Sequence, residues 1–237
     1  MTGSRPAVVV LVAGTGTDVG KTWVSARLLE TWARAGLSVA ARKPAQSFAP
    51  GTGPTDSEVL AAATGEDPAS VCRPERSYPL PLAPPMAASA LSRPGPTVSD
   101  LVGEIVWPGL TIDVGLVETA GGIRSPQADD GDVIDMALAV APDHVVLVAD
   151  AGLGTINAVR LSLDALVDGG IRPEPLVVLN RYDPSSDLHR RNLAWLRDVD
   201  AIPVVPVTGL VSLADRLAPP APPGSATPRS PTSIPPS

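Results

Sequence analysis

The sequence contains very little cysteine, few aromatic residues and no long apolar run. Cys72 is the only cysteine among 237 residues, and aromatic residues make up 3% of the chain. A single cysteine excludes an intrachain disulfide, and the apolar runs are too short to span a membrane. Because aromatic side chains are scarce, the core must be aliphatic, and the 44% of hydrophobic residues can supply it.

Basic residues are also outnumbered by acidic ones, and the formal net charge is −7. This balance argues against an electrostatic grip on nucleic acid or on anionic lipid. The apolar segment 7–13 is shorter than a signal peptide and lacks its flanks. We therefore expect a cytoplasmic protein with no nucleic-acid partner and no membrane partner.

Apolar strand-like runs alternate with helix-like segments through most of the chain. Near-continuous Val/Leu runs are typical of parallel strands covered on both faces, and they predict strands at 8–13, 37–41, 116–118, 145–149 and 176–179. Helical spacing of apolar residues predicts helices at about 21–35, 156–166 and 187–196. This alternation predicts an α/β fold with a doubly wound, mostly parallel sheet.

The composition predicts a single domain over residues 1–217 and a disordered tail over 218–237. The tail is mostly Pro, Ser, Ala and Thr and cannot bury enough apolar surface to order itself. The stretch 77–96 is rich in proline and alanine, and we expect an extended loop with a short helix there. Ligands of a doubly wound sheet bind at the carboxyl ends of its strands, which selects these segments: 14–22, 43–47, 118–122, 150–157 and 180–182.

The first of these segments reads Gly-Thr-Gly-Thr-Asp-Val-Gly-Lys-Thr over residues 14–22, directly after an apolar strand. Glycines let backbone N–H groups approach a phosphate chain, and the following helix adds the positive end of its dipole. Lys21 can reach the outer phosphates, and the Thr22 hydroxyl can bind a magnesium ion. A glycine turn followed by a surface lysine is the less favoured alternative, because strand, loop, Lys-Thr and helix occur in the order that phosphate binding requires.

Three charged residues outside this loop suggest chemistry, and two of them, Lys43 and Asp56, have an ordinary alternative. Lys43 follows the second predicted strand and either enters the phosphate cleft or is a solvated strand-end lysine. Asp56 opens a helix, where Thr55 and Glu58 fit a capping box and Asp56 suits the helix dipole. Glu118 ends a strand before a Thr-Ala-Gly-Gly turn, a place where a carboxylate can hold magnesium.

Together these segments resemble the dethiobiotin synthetase family. The family's loop Gly-Thr-x-Thr-x-Val-Gly-Lys-Thr matches residues 14–22, and its Lys-Pro-x-x-Ser matches residues 43–47. Its Val-Glu-Gly-Ala-Gly-Gly appears with one change at residues 117–122, and its Leu-Gly-x-Ile-Asn appears at residues 153–157. The resemblance covers about residues 8–210 in the same order and implies a P-loop NTPase-like fold.

The resemblance implies an ATP-dependent ligase of biotin biosynthesis. In the implied reaction, 7,8-diaminononanoate, carbon dioxide and ATP give dethiobiotin, ADP and phosphate. One amine takes up carbon dioxide as a carbamate, the carbamate oxygen attacks the γ-phosphate, and the second amine closes the ring and expels phosphate. The substrate supplies its own nucleophiles, which agrees with the absence of a convincing Ser/His/Asp or Cys/His set.

The resemblance also implies roles for individual residues. Lys21, Lys43 and Thr17 would be catalytic at the junction of carbamate and triphosphate, where Ser47 would also hydrogen-bond the carbamate. The oxygen ligands of magnesium would be Thr22, Asp56 and Glu118. The nucleotide would contact Gly16, Asp18, Val19, Gly20, Lys21, Thr22, Trp23, Asp56, Glu118, Thr119, Ala120, Gly121, Asn180, Arg181, Val207, Thr208 and Gly209.

A homodimer is implied as well. In the family, the carboxylate tail of the substrate reaches a helix start in the partner subunit, and the matching residues here are Gly154, Thr155 and Asn157. Free N–H groups at such a helix start suit a carboxylate. An ordinary N-capped helix is the alternative, and the sequence does not separate the two.

The chain departs from the family pattern in two places and leaves one assignment open. Thr119 replaces a glycine and is expected to crowd the turn beside the phosphates. Pro-Val-Thr-Gly at 206–209 stands where the family has Gly-x-Ile-Pro, which puts the base contacts in doubt. Glu58 is close enough in sequence to compete with Asp56 as the metal ligand.

Two other classes of P-loop protein compete with this interpretation. Partition-type ATPases, which act as nucleotide-switched binding proteins, carry an extra lysine at the start of the loop, where this chain has Gly14 and Thr15. They also often end in a basic amphipathic helix, whereas this sequence ends in prolines. Cobyrinate-type amide synthetases need a glutaminase domain with a nucleophilic cysteine. The chain is too short for one, and Cys72 lacks a nucleophile-like context.

Overall fold

A parallel sheet of six strands, in the order β2-β5-β1-β6-β7-β8, forms the centre of the protein. The structure is a computed structural model that describes residues 3–172 and 174–220. A separate parallel pair, β3 with β4, lies outside the main sheet. The strands are β1 (Val8–Gly14), β2 (Val39–Arg42), β3 (Gln46–Ser47), β4 (Ser77–Tyr78), β5 (Val114–Glu118), β6 (His144–Asp150), β7 (Leu176–Asn180) and β8 (Val204–Pro206).

Helices cover both faces of this sheet. They are α1 (Lys21–Arg34), α2 (Asp56–Thr64), α3 (Pro68–Val71), α4 (Pro84–Ala90), α5 (Val98–Gly103), α6 (Val133–Val140), α7 (Thr155–Asp168), α8 (Asp187–Ala194) and α9 (Leu210–Leu217). Shorter helical turns occur at Pro74–Arg76, Trp195–Val199 and Val207–Gly209. Within the described ranges, no helix is both long enough and apolar enough to cross a membrane.

The side chains of β1 show how the two layers are built. All seven residues of this strand are buried, and successive side chains point to opposite faces of the sheet. Val12 belongs to the cluster that contains Leu28 of α1, whereas Leu11 belongs to the cluster that contains Val159 of α7. A fully buried Leu stabilises the fold by about 1.5–3 kcal/mol. Because β1 is packed in this way on both faces, it fixes the position of the loop that follows it.

The predicted fold class, a doubly wound parallel sheet, is confirmed. Several boundaries differ from the sequence predictions. The second strand was expected at 37–41 and lies at Val39–Arg42, and the helix expected at 187–196 ends at Ala194 before a π turn. The expected loop at 77–96 contains the short helix α4, but it also contributes β4. A two-residue strand has no local signature, because its partner β3 is about 30 residues away in the chain.

The C-terminal helix α9 closes the side of the sheet that carries α1. Leu213 and Leu217 are buried there, and the Trp32 indole N–H donates to the Ala214 carbonyl at 2.9 Å. Ala218 still packs against this cluster, so packing continues one residue into the tail predicted at 218–237. Residues 221–237 lie outside the described part of the chain.

All six strands run in the same direction, so their carboxyl ends meet at one edge. The phosphate loop follows β1 at this edge, and Lys43 follows β2. Thr119, Arg181 and Val207 follow β5, β7 and β8 in the same way. The sheet topology therefore brings the segments that were predicted to bind ligands to the same edge of the sheet.

Candidate active site

The phosphate loop, residues 14–22, has a backbone shape that only certain residues permit. Asp18 and Gly20 have positive φ angles of 58° and 90°. A Cβ atom on Gly20 would lie 2.0 Å from Nδ2 of Asn180, so glycine is required there. The same Nδ2 donates to the carbonyl just before Gly20 at 3.0 Å. Because α1 begins at Lys21 with a glycine as its N-cap, its first N–H groups are available to a phosphate.

Lys21 is folded back over this loop. Its side chain is buried, and its ammonium donates to the Gly16 carbonyl at 3.0 Å. Burial, and then the nearby charge of Lys43, lower the pKa of Lys21 to about 8. An anion bound in the loop would favour the charged form of this lysine, as a phosphate-binding residue requires.

Lys43 lies at the centre of a buried ionic cluster. Its ammonium is 2.7 Å from Glu118 Oε1 and 2.8 Å from Asp56 Oδ2, and it donates to the Thr119 carbonyl at 3.2 Å. Burial alone would disfavour the charged form, but the two carboxylates outweigh it and raise the pKa of Lys43 above its ordinary value. The side chain is only 1% exposed, so the alternative of a solvated strand-end lysine is wrong.

Thr22 joins the same cluster from α1. Its hydroxyl lies 2.8 Å from Asp56 Oδ1 and 2.8 Å from Glu118 Oε1. Burial works against the Asp56 carboxylate, but the Lys43 charge and hydrogen bonds from Lys43 and Thr22 hold the pKa of Asp56 below its usual range. Thr22 therefore contacts both of the other residues expected to bind magnesium.

Glu58 is placed differently from Asp56, although it is only two residues away. Its carboxylate accepts from the Thr55 N–H at 2.7 Å, and its own N–H donates to the Thr55 hydroxyl at 3.4 Å. This is the reciprocal capping box predicted from the sequence. Glu58 is exposed, so within α2 only Asp56 contacts the ionic cluster.

The donor set of this cluster fits a magnesium ion. Thr22, Asp56 and Glu118 offer only oxygen atoms, and Mg²⁺ is a hard cation usually held by one or two carboxylates together with substrate phosphates and water. Nowhere in residues 3–172 and 174–220 do three or more His, Cys, Asp or Glu side chains group into a metal site. A site with two carboxylates and one hydroxyl suits an ion that arrives with a nucleotide.

Ser25 is a member of the cluster that the sequence analysis missed. Its hydroxyl donates to Glu118 Oε2 at 2.6 Å, and both side chains are 0% exposed. Ser25 lies three residues after Thr22, on the same face of α1. The helical spacing could have revealed it, but only once the position of Glu118 was known.

Gln127 holds the turn that follows Glu118 at the end of β5. The side chain of Gln127 accepts from the Ala120 N–H at 3.0 Å and donates to the Ala120 carbonyl at 2.8 Å. Gly121 has a φ of 65°. Thr119, expected to crowd the phosphate side of the turn, is buried, and its hydroxyl is 3.4 Å from the Val12 carbonyl in the sheet. The side chain therefore hydrogen-bonds back to the sheet.

Arg181 connects the phosphate loop to the end of β6. Its guanidinium donates to the Asp18 carbonyl at 2.7 Å and pairs with Asp150 at 2.8 Å. Asp150 in turn accepts from the Gly152 N–H at 2.7 Å. Together with the hydrogen bond from Asn180 at the end of β7, these contacts hold the phosphate loop against the ends of β6 and β7.

Several predicted site residues lie at the same edge without joining the ionic cluster. Thr17 is exposed on the phosphate loop, and Ser47 is half-buried in β3. The ring of Trp23 is 46% exposed and 5.2 Å from the Arg27 guanidinium, in a groove beside Val59 of α2. The structure therefore directs the Trp23 side chain away from the phosphate loop and leaves its backbone beside Thr22.

The residues predicted from the second half of the chain range from buried to exposed. Gly154 has a φ of 89° and is the N-cap of α7, and Asn157 is exposed. Thr155 is buried, and its hydroxyl oxygen has no hydrogen-bond partner among the described residues. The predicted base-side residues, Val207–Gly209, form a short 3₁₀ helix after β8, at the opposite end of the sheet from β2.

Comparison with known proteins decides the family. The family model described as AAA domain matches residues 9–221. The ATP-dependent dethiobiotin synthetase BioD of Rhodococcus jostii is 38% identical over 199 residues, which cover 83% of this chain and 84% of the relative. The BioD of Streptomyces coelicolor is 35% identical over 204 residues, or 83% and 82% of the two chains.

The chain belongs to the ATP-dependent dethiobiotin synthetase family. Solved structures at low identity show the fold alone. A plasmid partition protein from Borrelia burgdorferi is 12% identical with a TM-score of 0.52, over 85% of this chain and 86% of its own. Chloroplast FtsY from Physcomitrella patens is 20% identical with a TM-score of 0.51. The match covers 89% of this chain and 65% of the FtsY chain. For this dethiobiotin synthetase family member, the P-loop NTPase-like fold predicted from the sequence is confirmed.

Proposed function

We propose that the protein closes the ureido ring of dethiobiotin from 7,8-diaminononanoate, carbon dioxide and ATP, with release of ADP and phosphate. Membership of the dethiobiotin synthetase family, with relatives 35–38% identical over most of the chain, is the observation that carries this proposal. The domain responsible is residues 1–217. A homodimer and a cytoplasmic location belong to the same proposal.

The arrangement of charge supports this chemistry. A carbamate and a triphosphate are both anions, and their approach requires compensating positive charge. Lys21 lies over the phosphate loop and Lys43 lies beside Glu118 at the end of β5. Thr22, Asp56 and Glu118 would hold magnesium, which when bound would neutralise phosphate charge.

The proposed reaction needs no nucleophile from the protein. A carbamate oxygen, formed from one substrate amine and carbon dioxide, attacks the γ-phosphorus as ADP leaves. The second amine then attacks the carbamoyl carbon of the mixed anhydride, loses a proton and expels phosphate. In this scheme Lys43 and Lys21 stabilise the charge that accumulates on the transferring phosphoryl group, and Thr17 and Ser47 orient the carbamate by hydrogen bonds.

The far end of the substrate carries a carboxylate, and the N-terminus of α7 is the proposed place for it. Residues Gly154, Thr155 and Asn157 would receive this group from the substrate bound in the partner subunit. The buried Thr155 hydroxyl that lacks a partner among the described residues supports this assignment, because buried polar groups are usually satisfied. The free N–H groups of the first turn suit an anion.

A phosphate-release assay tests the proposal. The full chain is mixed with Mg²⁺-ATP, 7,8-diaminononanoate and bicarbonate, and the organic product is identified by mass spectrometry. We expect phosphate and dethiobiotin in equal amounts, and loss of both when either the diamine or bicarbonate is omitted. Phosphate release that continues without the diamine would overturn the proposal and favour a partition-type ATPase.

A further inference from the structure

We infer that Lys43 is an internal counter-ion that holds the Asp56 and Glu118 carboxylates together before magnesium binds and gives way to the ion when nucleotide binds. This inference rests on the magnesium site of the proposed function. It adds a second role to Lys43, because the same ammonium that prepares the metal site becomes available to the substrate anions afterwards.

The oxygen contacts show why lysine and metal compete. Glu118 Oε1 lies 2.7 Å from the Lys43 ammonium and 2.8 Å from the Thr22 hydroxyl. Asp56 directs Oδ1 to Thr22 and Oδ2 to Lys43. One oxygen of each carboxylate is therefore already bound to the Lys43 ammonium. A metal that uses Glu118 Oε1 must weaken or replace that contact.

The electrostatic surroundings show why a counter-ion is needed. Glu118 is 0% exposed, and Asp56 and Glu118 both contact the same threonine hydroxyl. A buried carboxylate this close to a second carboxylate, that of Asp56 with a side chain 39% exposed, is unstable without a cation. Lys43 supplies it, whereas the other buried lysine, Lys21, donates to the Gly16 carbonyl and contacts neither carboxylate.

This difference between the two lysines provides a matched control. Each is buried at the same edge of the sheet, and each carries one charge. Lys43→Met removes the contact with both carboxylates, while Lys21→Met removes a charge without touching them. If charge near the site were all that mattered, the two variants would respond to magnesium in the same way.

The experiment measures magnesium binding without nucleotide. Thermal melts of wild type, Lys43→Met and Lys21→Met are recorded across a Mg²⁺ titration. We expect little stabilisation of wild type or Lys21→Met, and a clear rise in the melting temperature of Lys43→Met. The midpoint of that rise should fall at an Mg²⁺ concentration about tenfold or more below that of wild type, because the ion no longer competes with a charged contact for the same oxygens. Adding Asp56→Asn to Lys43→Met should abolish the gain.

A second Lys43 variant and a measurement with a nucleotide analogue serve as controls for this experiment. Lys43→Gln, which keeps a polar side chain but removes the charge, should show the same gain if Lys43→Met folds poorly. Equal magnesium responses in Lys43→Met or Lys43→Gln and in Lys21→Met would overturn the inference. A melt of wild type with a non-hydrolysable ATP analogue, with and without Mg²⁺, tests the metal site itself. If magnesium has an effect there but no extra effect in the Lys43 variants, the counter-ion role fails and the proposed function stands.

Discussion

The two halves of the carboxyl edge of the sheet differ in how deeply their charged side chains are buried. On the side of β2, β5 and β1, Lys43 and Glu118 form a buried ion pair, and Asp56, whose side chain is 39% exposed, joins it through Lys43. Lys43 and Glu118 are 1% and 0% exposed, and Glu118 is held by Ser25 as well. On the side of β6, β7 and β8, Arg181 pairs with Asp150, and the two side chains are 59% and 43% exposed.

The buried side chains are already held in position, whereas the exposed ones can still gain contacts from a ligand or a partner. Fixed donors around a developing charge need no rearrangement during the reaction, so the buried side suits the chemical step. At the N-terminus of α7, Asn157 is exposed and Leu153 is 92% exposed. Such a surface suits contacts completed by another molecule. Substitutions on the two sides should therefore have effects of different size and kind.

The largest effect is expected from Lys43→Met. Turnover should fall by at least about 10²–10³-fold because a charge-assisted donor is lost from the transition state. Stability should also fall, by about 3–5 kcal/mol, because Asp56 and Glu118 lose their buried partner. Lys21→Met should lower turnover similarly with a smaller loss of stability, since Lys21 binds a carbonyl rather than a carboxylate. Steady-state kinetics and urea unfolding measure the two effects, and wild-type turnover in Lys43→Met would return it to a structural role.

Asp56→Asn should strongly raise the Mg²⁺ concentration needed for half-maximal activity. Asp56 contacts Thr22 and Lys43, whereas Glu58 is engaged in the capping box of α2. Glu58→Gln is the matched control on the same helix turn and should leave the midpoint unchanged, because glutamine also fits the box. A magnesium titration of activity decides between them. A shifted midpoint for Glu58→Gln alone would reverse the assignment.

Ser25→Ala should have an intermediate effect on the buried side. It leaves Glu118 Oε2 without its donor in a fully buried site, at a cost of about 1–3 kcal/mol in stability. Because the freed carboxylate can rotate, the magnesium midpoint should rise as well. Ser162→Ala, another buried serine but on α7, is the control and should leave the midpoint unchanged. If both serine variants lose stability equally and neither moves the midpoint, Ser25 does not position Glu118.

The smallest effect is expected on the exposed side, for Arg181→Met. A half-exposed ion pair is typically worth only about 0–1 kcal/mol, so the melting temperature should change little. The loss of the contact with the Asp18 carbonyl should appear as a higher KM for ATP at nearly constant kcat. Kinetics at varied ATP concentration measure this split. A fall in kcat as large as that of Lys43→Met would remove the distinction between the two sides.

Local sequence signals were sufficient for the phosphate loop and for the capping box of α2. In both cases the residues that interact are neighbours in the chain, such as Thr55 and Glu58, so the chemistry can be read from spacing. The class of fold also followed from local pattern, because strands and helices alternate. The short strands β3, β4 and β8 were missed, since two or three residues carry no periodicity.

The sequence by itself determined which residue types are present and in what order they reach the carboxyl edge. Strand, glycine loop and Lys-Thr fix the phosphate loop, and apolar strand runs place Lys43 and Glu118 at strand ends. Only the tertiary structure decided that Lys43 is buried between Asp56 and Glu118, and that Ser25 supports the latter. Lys43 and Glu118 are 75 residues apart. Their contact exists because β2 and β5 are neighbours in the sheet, and the order of strands is set by packing rather than by any local pattern.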